Sequence, residues 1–149
     1  MKQKHLKDPG SAITHFIAML MAIFSATPLL IKAAHTGAPI YVISLAIFIG
    51  SMILLYTAST LYHSLDISEK VNKRLKKFDH MMISVLIAGS YTPICLITLK
   101  GPVGYTMLTI VWGIAILGIL VKAFWVNCPK WFSSAGDVAP GYFLWIHHA

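Results

Sequence analysis

The sequence predicts an all-α integral membrane protein with four transmembrane helices and an irregular C-terminal tail. Composition is the first reason: 57% of the 149 residues are hydrophobic and only 11% are charged, with a mean hydropathy of +0.73. A soluble domain carries about 25% charged residues. The second reason is where charge is missing. No Asp, Glu, Lys or Arg occurs from Ala33 to Leu65, from His80 to Leu99 or from Gly101 to Val121. Each gap is long enough for a helix to cross a hydrocarbon core of ~30 Å, which takes about 20 residues. The third reason is that the cations that do occur flank these gaps.

That placement also disposes of nucleic acid as a partner. The net charge of +7 comes from Lys and Arg that bracket apolar runs and form no face with interleaved aromatics. Cys95 and Cys128 make no CxxC pattern and no disulfide framework. There is no internal repeat, phosphate-binding glycine loop, HExxH or GxSxG.

The elements follow in order. Residues 1–10 form a polar arm carrying Lys2, Lys4 and Lys7, and residues 11–126 form the membrane domain. The first span covers about residues 12–33. Its apolar run exceeds the ~7–15 residues of a signal-peptide core, so it reads as retained. Pro28 predicts a kink, and Lys32 can snorkel at the end. His15, near its start, reads as an interfacial histidine that could also face the bundle. A turn from His35 to Pro39 leads to the second span, about 40–62, where Ala46 and Gly50 make a small-xxx-small pair. Asp66 to Asp79 reads as a solvated, charged loop that could lie against anionic lipid heads. The third span, about 81–99, contains Ala88-Gly89-Ser90-Tyr91-Thr92-Pro93, where small residues allow close approach and proline breaks the backbone ladder. Lys100-Gly101-Pro102 turns the chain into the fourth span, about 103–121. The tail, 127–149, is broken by Pro129, Gly136, Pro140 and Gly141 and reads as irregular or interfacial.

The stretch from Tyr56 to His80 holds three residues with no obvious role beside hydrocarbon: Ser59, His63 and Asp79. Ser59 and His63 are four apart and share a helix face. An ionisable group in a membrane helix is a functional hypothesis by default. The competing reading leaves His63 and Asp79 wet and inert at the interface, as it does His80.

The same stretch carries a resemblance. Ser51-Met-Ile-Leu-Leu-Tyr-Thr-Ala-Ser-Thr-Leu-Tyr-His63, Lys77-Phe-Asp-His80, Leu86-Ile-Ala-Gly-Ser-Tyr-Thr-Pro93 and Ile110-Val-Trp-Gly113 resemble the bacterial hemolysin III family. That family is related to the PAQR receptors, which include the adiponectin receptors, and more loosely to the alkaline ceramidases. The resemblance runs from about Ser11 to Ser134. Thr14-His15 fits the family's first motif, with Ser11 where members usually carry Asn.

The resemblance implies a seven-helix bundle with a zinc site near its cytoplasmic side. It assigns His63 as a metal ligand, with Ser59 and Asp79 beside the metal as catalytic residues. Zinc with an open coordination position activates water, which would make the reaction a hydrolysis of lipid amides or esters. The family name implies a different activity, pore formation and cytolysis. The chain departs from the family pattern after the fourth span, which reads as truncation and removes the HxxxH pair expected on a seventh helix. His147 and His148 are adjacent, about 100° apart on a helix, and cannot mimic that pair.

Three functions therefore compete: a pore-forming membrane protein, a zinc-dependent hydrolase inactive in this chain, and a merely structural fragment. Membrane lipids are the expected partners, with self-association a way to restore a bundle.

Counting Lys and Arg orients the chain in the cell membrane. Ten of the twelve fall with the arm, the charged segment and the end of the fourth span, and only Lys32 and Lys100 lie opposite. Both termini are then cytoplasmic. Cysteines placed at positions 35 and 100 should be labelled from outside, and one at position 73 only after the membrane is opened. External labelling at position 73 would reverse the topology.

Overall fold

The computed structural model describes residues 7–124. They form four long helices: α1 (Pro9–Ala34), α2 (Pro39–Ser64), α3 (Glu69–Pro93) and α4 (Gly101–Phe124). A π-helical segment, Ile94–Leu99, continues α3. All four are long and apolar enough to cross a membrane, and no strand occurs among the described residues. The chain is a multi-pass membrane protein. The tail expected over 127–149, with Cys128, His147 and His148, lies outside the described residues.

Proline opens both α1 and α2, where its missing N–H is no loss. Pro28 sits inside α1, which runs unbroken past it. The largest departure from expectation is at α3. The charged segment is not a loop: α3 begins at Glu69 and carries Lys70 to Asp79 on its first turns. Ser68 caps it by accepting the Val71 amide at 3.4 Å, and Glu69 suits the positive helix end. Asn72 ties down the connection, donating to Asp66 Oδ1 at 2.7 Å and accepting the Ile67 amide at 3.3 Å. Lys and Arg are good helix formers, and no breaker interrupts residues 69–88.

The helices form an open row. Among the described residues α1 touches only α2, α2 touches α3, and α3 touches α4; α1 and α4 do not meet. The α2–α3 contact is tight at one point. A Cβ at Gly89 would overlap the Ser51 side chain. The pair expected to make a close contact, Ala46 and Gly50, does not: Ala46 is exposed, and a Cβ at Gly50 would meet nothing.

Several polar side chains in the row bond within their own helix, while the buried Thr60 hydroxyl finds no partner among the described residues. Ser51 donates to the Phe48 carbonyl at 2.7 Å, and Thr57 to that of Ile53 at 2.7 Å. Thr92 donates to the Ala88 carbonyl and accepts from Trp112 Nε1 at 3.1 Å, joining α3 to α4 beside a core of Ala88, Val111 and Ala115.

Pro93 cannot donate to the ladder, and the turns after it adopt π geometry. Lys100 and Gly101 then reverse the chain with φ of 45° and 65°. Gly104 lets α4 start against the Cys95 carbonyl, where a Cβ would overlap the oxygen.

Gly89→Ala should destabilise the protein by about 1–3 kcal/mol through overpacking. Adding Ser51→Gly should recover most of that loss. Thermal unfolding of the detergent-solubilised variants measures both, and additive losses in the double variant would contradict the contact.

Candidate functional site

The candidate site lies at the end of the row where α1 begins and α2 ends. Tyr56, Ser59 and His63 fall at i, i+3 and i+7 of α2, one face, and that face meets α1. Ser59 is buried at 4% exposure, and its Oγ lies 2.6 Å from His15 Nδ1 across the helix pair. The His15 ring stands edge-on to His63, with centroids 5.6 Å apart and planes at 75°. The Tyr56 ring is also near His15, with centroids 6.0 Å apart.

The chain entering α1 closes the cluster. The Asp8 amide donates to the His63 carbonyl at 3.1 Å, satisfying an acceptor in the last turn of α2. Asp8 Oδ2 lies 3.4 Å from His63 Nδ1 and accepts the Ser11 hydroxyl at 2.6 Å. That hydroxyl, more than the Ser11 amide or the charges of His63 and His15, holds the Asp8 carboxyl below its ordinary range. Asp8 is thus ionised at neutral pH. Beside it, the Lys7 ammonium sits 3.9 Å above the centre of the Tyr62 ring.

Asp79 is buried at 7% exposure on α3. Its partner is His80, whose Nδ1 lies 3.5 Å away, within ion-pairing range but making no hydrogen bond. Among the described residues no hydrogen bond or ion pair joins Asp79 to Ser59 or His63. Lysines fasten the neighbouring ends. Lys122 donates to the His80 carbonyl at 3.2 Å and to Ser84 Oγ at 3.1 Å, and Lys77 donates to the Ala123 carbonyl.

The structure therefore links Ser59 to His63 through His15 and leaves Asp79 paired elsewhere. The sequence pattern put Ser59 and His63 on one face but gave no means to pair Ser59 with His15, 44 positions away. Thr14-His15 was the only signal pointing to that histidine. Asp8 and Lys7 carried none, because their roles arise only when the arm folds back.

A catalytic zinc takes three protein ligands. Among the described residues no group of three His, Cys, Asp or Glu side chains is placed to share a metal ion. With His15 Nδ1 engaged by Ser59 and His63 Nδ1 facing Asp8, the two histidines offer one Nε2 each, short of three ligands. These residues do not, by themselves, fit a catalytic zinc.

Comparison with known proteins decides the family. A profile for proteins described as "Haemolysin-III related" matches residues 3–147. The chain belongs to that family. The match takes in the arm and reaches beyond Ser134, where the resemblance read from motifs ended. "Hemolysin-3" of Bacillus cereus is 43% identical over 127 residues, covering 85% of this chain and 58% of that protein. "Hemolysin-3 homolog" of Bacillus subtilis (strain 168) is 47% identical over 121 residues, covering 81% of this chain and 56% of that protein. The chain thus spans little more than half the length of these relatives. No solved structure matches.

Ser59→Ala should leave His15 without its partner and cost about 1–2 kcal/mol of thermal stability in detergent. His15→Ala should cost about as much, and the double variant should cost less than the sum. Strict additivity would show that the two do not interact.

Proposed function

We propose that this haemolysin-III-related chain is a pore-forming, cytolytic protein of the cell membrane, with the basic end of the row facing the cytoplasm. The observation that carries the reading is the open row. α1 and α4 do not meet, so two helix faces lack a helical neighbour within the described chain. Self-association across those faces would build a larger ring, and buried Ser44, Ser51, Ser59, Ser84 and Thr92 supply polar side chains near its helix contacts. The names of the two Bacillus relatives point the same way.

A second reading, hydrolysis of a lipid amide or ester, is favoured by the Ser59–His15–His63–Asp8 cluster with Asp79 buried on the next helix. In it His63 would hold zinc, with Ser59 and Asp79 beside it. The described residues do not complete such a donor set, and no catalytic step is assigned to them.

Reconstituted protein should release a small trapped dye from vesicles in proportion to a power of its concentration above one. Retained dye, together with metal bound stoichiometrically and lost in His63→Ala, and cleavage of a ceramide-type substrate, would replace the pore by the hydrolase.

A further inference from the structure

We propose that the first three turns of α3 form a binding surface for anionic lipid headgroups. The length of the helix carries the first part of the argument. From Glu69 to Leu99 it runs 31 residues without a break. At 1.5 Å per residue that is roughly 46 Å, against a hydrocarbon core of ~30 Å. The excess is roughly 16 Å, or about ten residues, the distance from Glu69 to Phe78. Counting back about 20 residues from Leu99 places the hydrocarbon boundary near His80. The turn just before it, with Lys76, then lies at headgroup depth, and Lys73, Arg74 and Lys70 stand successively above it.

The second part is which cations the fold already uses. At this end of the row Lys7 sits on Tyr62, Lys77 holds the Ala123 carbonyl, and Lys122 holds His80 and Ser84. Lys70, Lys73, Arg74 and Lys76 are all exposed, and among the described residues none forms an ion pair. Lys70, Lys73 and Arg74 fall at i, i+3 and i+4 and share a helix face, with Lys76 beside it. The acidic groups nearby only partly offset them: Asp79 is buried against His80, while Asp66, held by Asn72, and Glu69, in no ion pair among the described residues, leave the segment with more cations than carboxylates.

The third part separates a lipid surface from a soluble acidic partner. Phe78, 41% exposed, sits among these cations within one turn of the hydrocarbon. Apolar side chains at that depth enter the interface, while long basic side chains reach the phosphates. Because the surface is helical, its cations are held in one arrangement before lipid arrives.

The test uses the full chain reconstituted in phosphatidylcholine vesicles containing spin-labelled phosphatidylglycerol or spin-labelled phosphatidylcholine. A cation at the membrane surface adds roughly fivefold to the association of an anionic lipid. The motionally restricted fraction should therefore favour phosphatidylglycerol several-fold. The preference should fall to about one in the K70Q/K73Q/R74Q/K76Q variant and survive in K32Q/K100Q, which changes the opposite end. High salt should remove it from the unmodified chain, which keeps the test valid if the quadruple variant fails to fold. A preference absent in the unmodified chain, or unchanged in the quadruple variant, would overturn the assignment and leave the patch to a soluble acidic partner.

Discussion

Everything in the row depends on α2 and α3 lying close enough to touch along their length. Hydrocarbon gives helices no hydrophobic reason to associate, so contact must come from packing and a few polar bonds. Apart from Ile49 and Asp79, the residues buried in the middle two helices are accordingly small: Ser44, Ser51, Ala58 and Ser59 on α2, and Ser84, Ala88, Gly89 and Thr92 on α3. At Gly89 the fit leaves no space for a single methyl beside Ser51. Among the described residues α1 leans only on α2, and α4 is carried by α3 and its π-helical continuation, so the two outer helices are held relative to each other through this contact.

The same rule explains the C-terminal end of α3. Pro93 removes one donor from a ladder that water cannot repair. The chain continues in π geometry and does not unwind, so the helix still reaches the turn at Lys100. Gly104 then admits the Cys95 carbonyl, and α4 starts in contact with the segment it has just left. The motifs that carry the family resemblance in α3 and α4 have a structural meaning here. Thr92 and Trp112 bond to each other, and Ala88 and Val111 share a core.

The spans were legible because a charge-free run of about 20 residues has few other fates. The shared face of Ser59 and His63 was legible because helical spacing needs no knowledge of the neighbour. What the neighbour is was not. Ala46 and Gly50 have the same small-xxx-small spacing as pairs that make contacts, yet they face outward, since spacing does not say which face is covered. The start of α3 was missed because a run of charge looks the same in a loop and on a helix that outgrows the bilayer. Only the cap at Ser68 and the Asn72 bonds distinguish the two.

The candidate site is held by a helix at the end of the row. Among the described residues α1 touches α2 alone, and its polar fastenings to that helix gather at one end: Asp8 on His63, Lys7 on Tyr62 and His15 on Ser59. Deeper along the pair, Thr57 also points its hydroxyl at Met19 sulfur at 3.2 Å. Interhelical hydrogen bonds in membranes are worth about 0.6 kcal/mol each and rarely exceed about 1.7 kcal/mol. A few such bonds, clustered within the first two turns of α1, act as a hinge pin that leaves the other end of the helix to side-chain packing alone. A group that displaced His15 from the Ser59 hydroxyl would loosen one of the several contacts that dock α1.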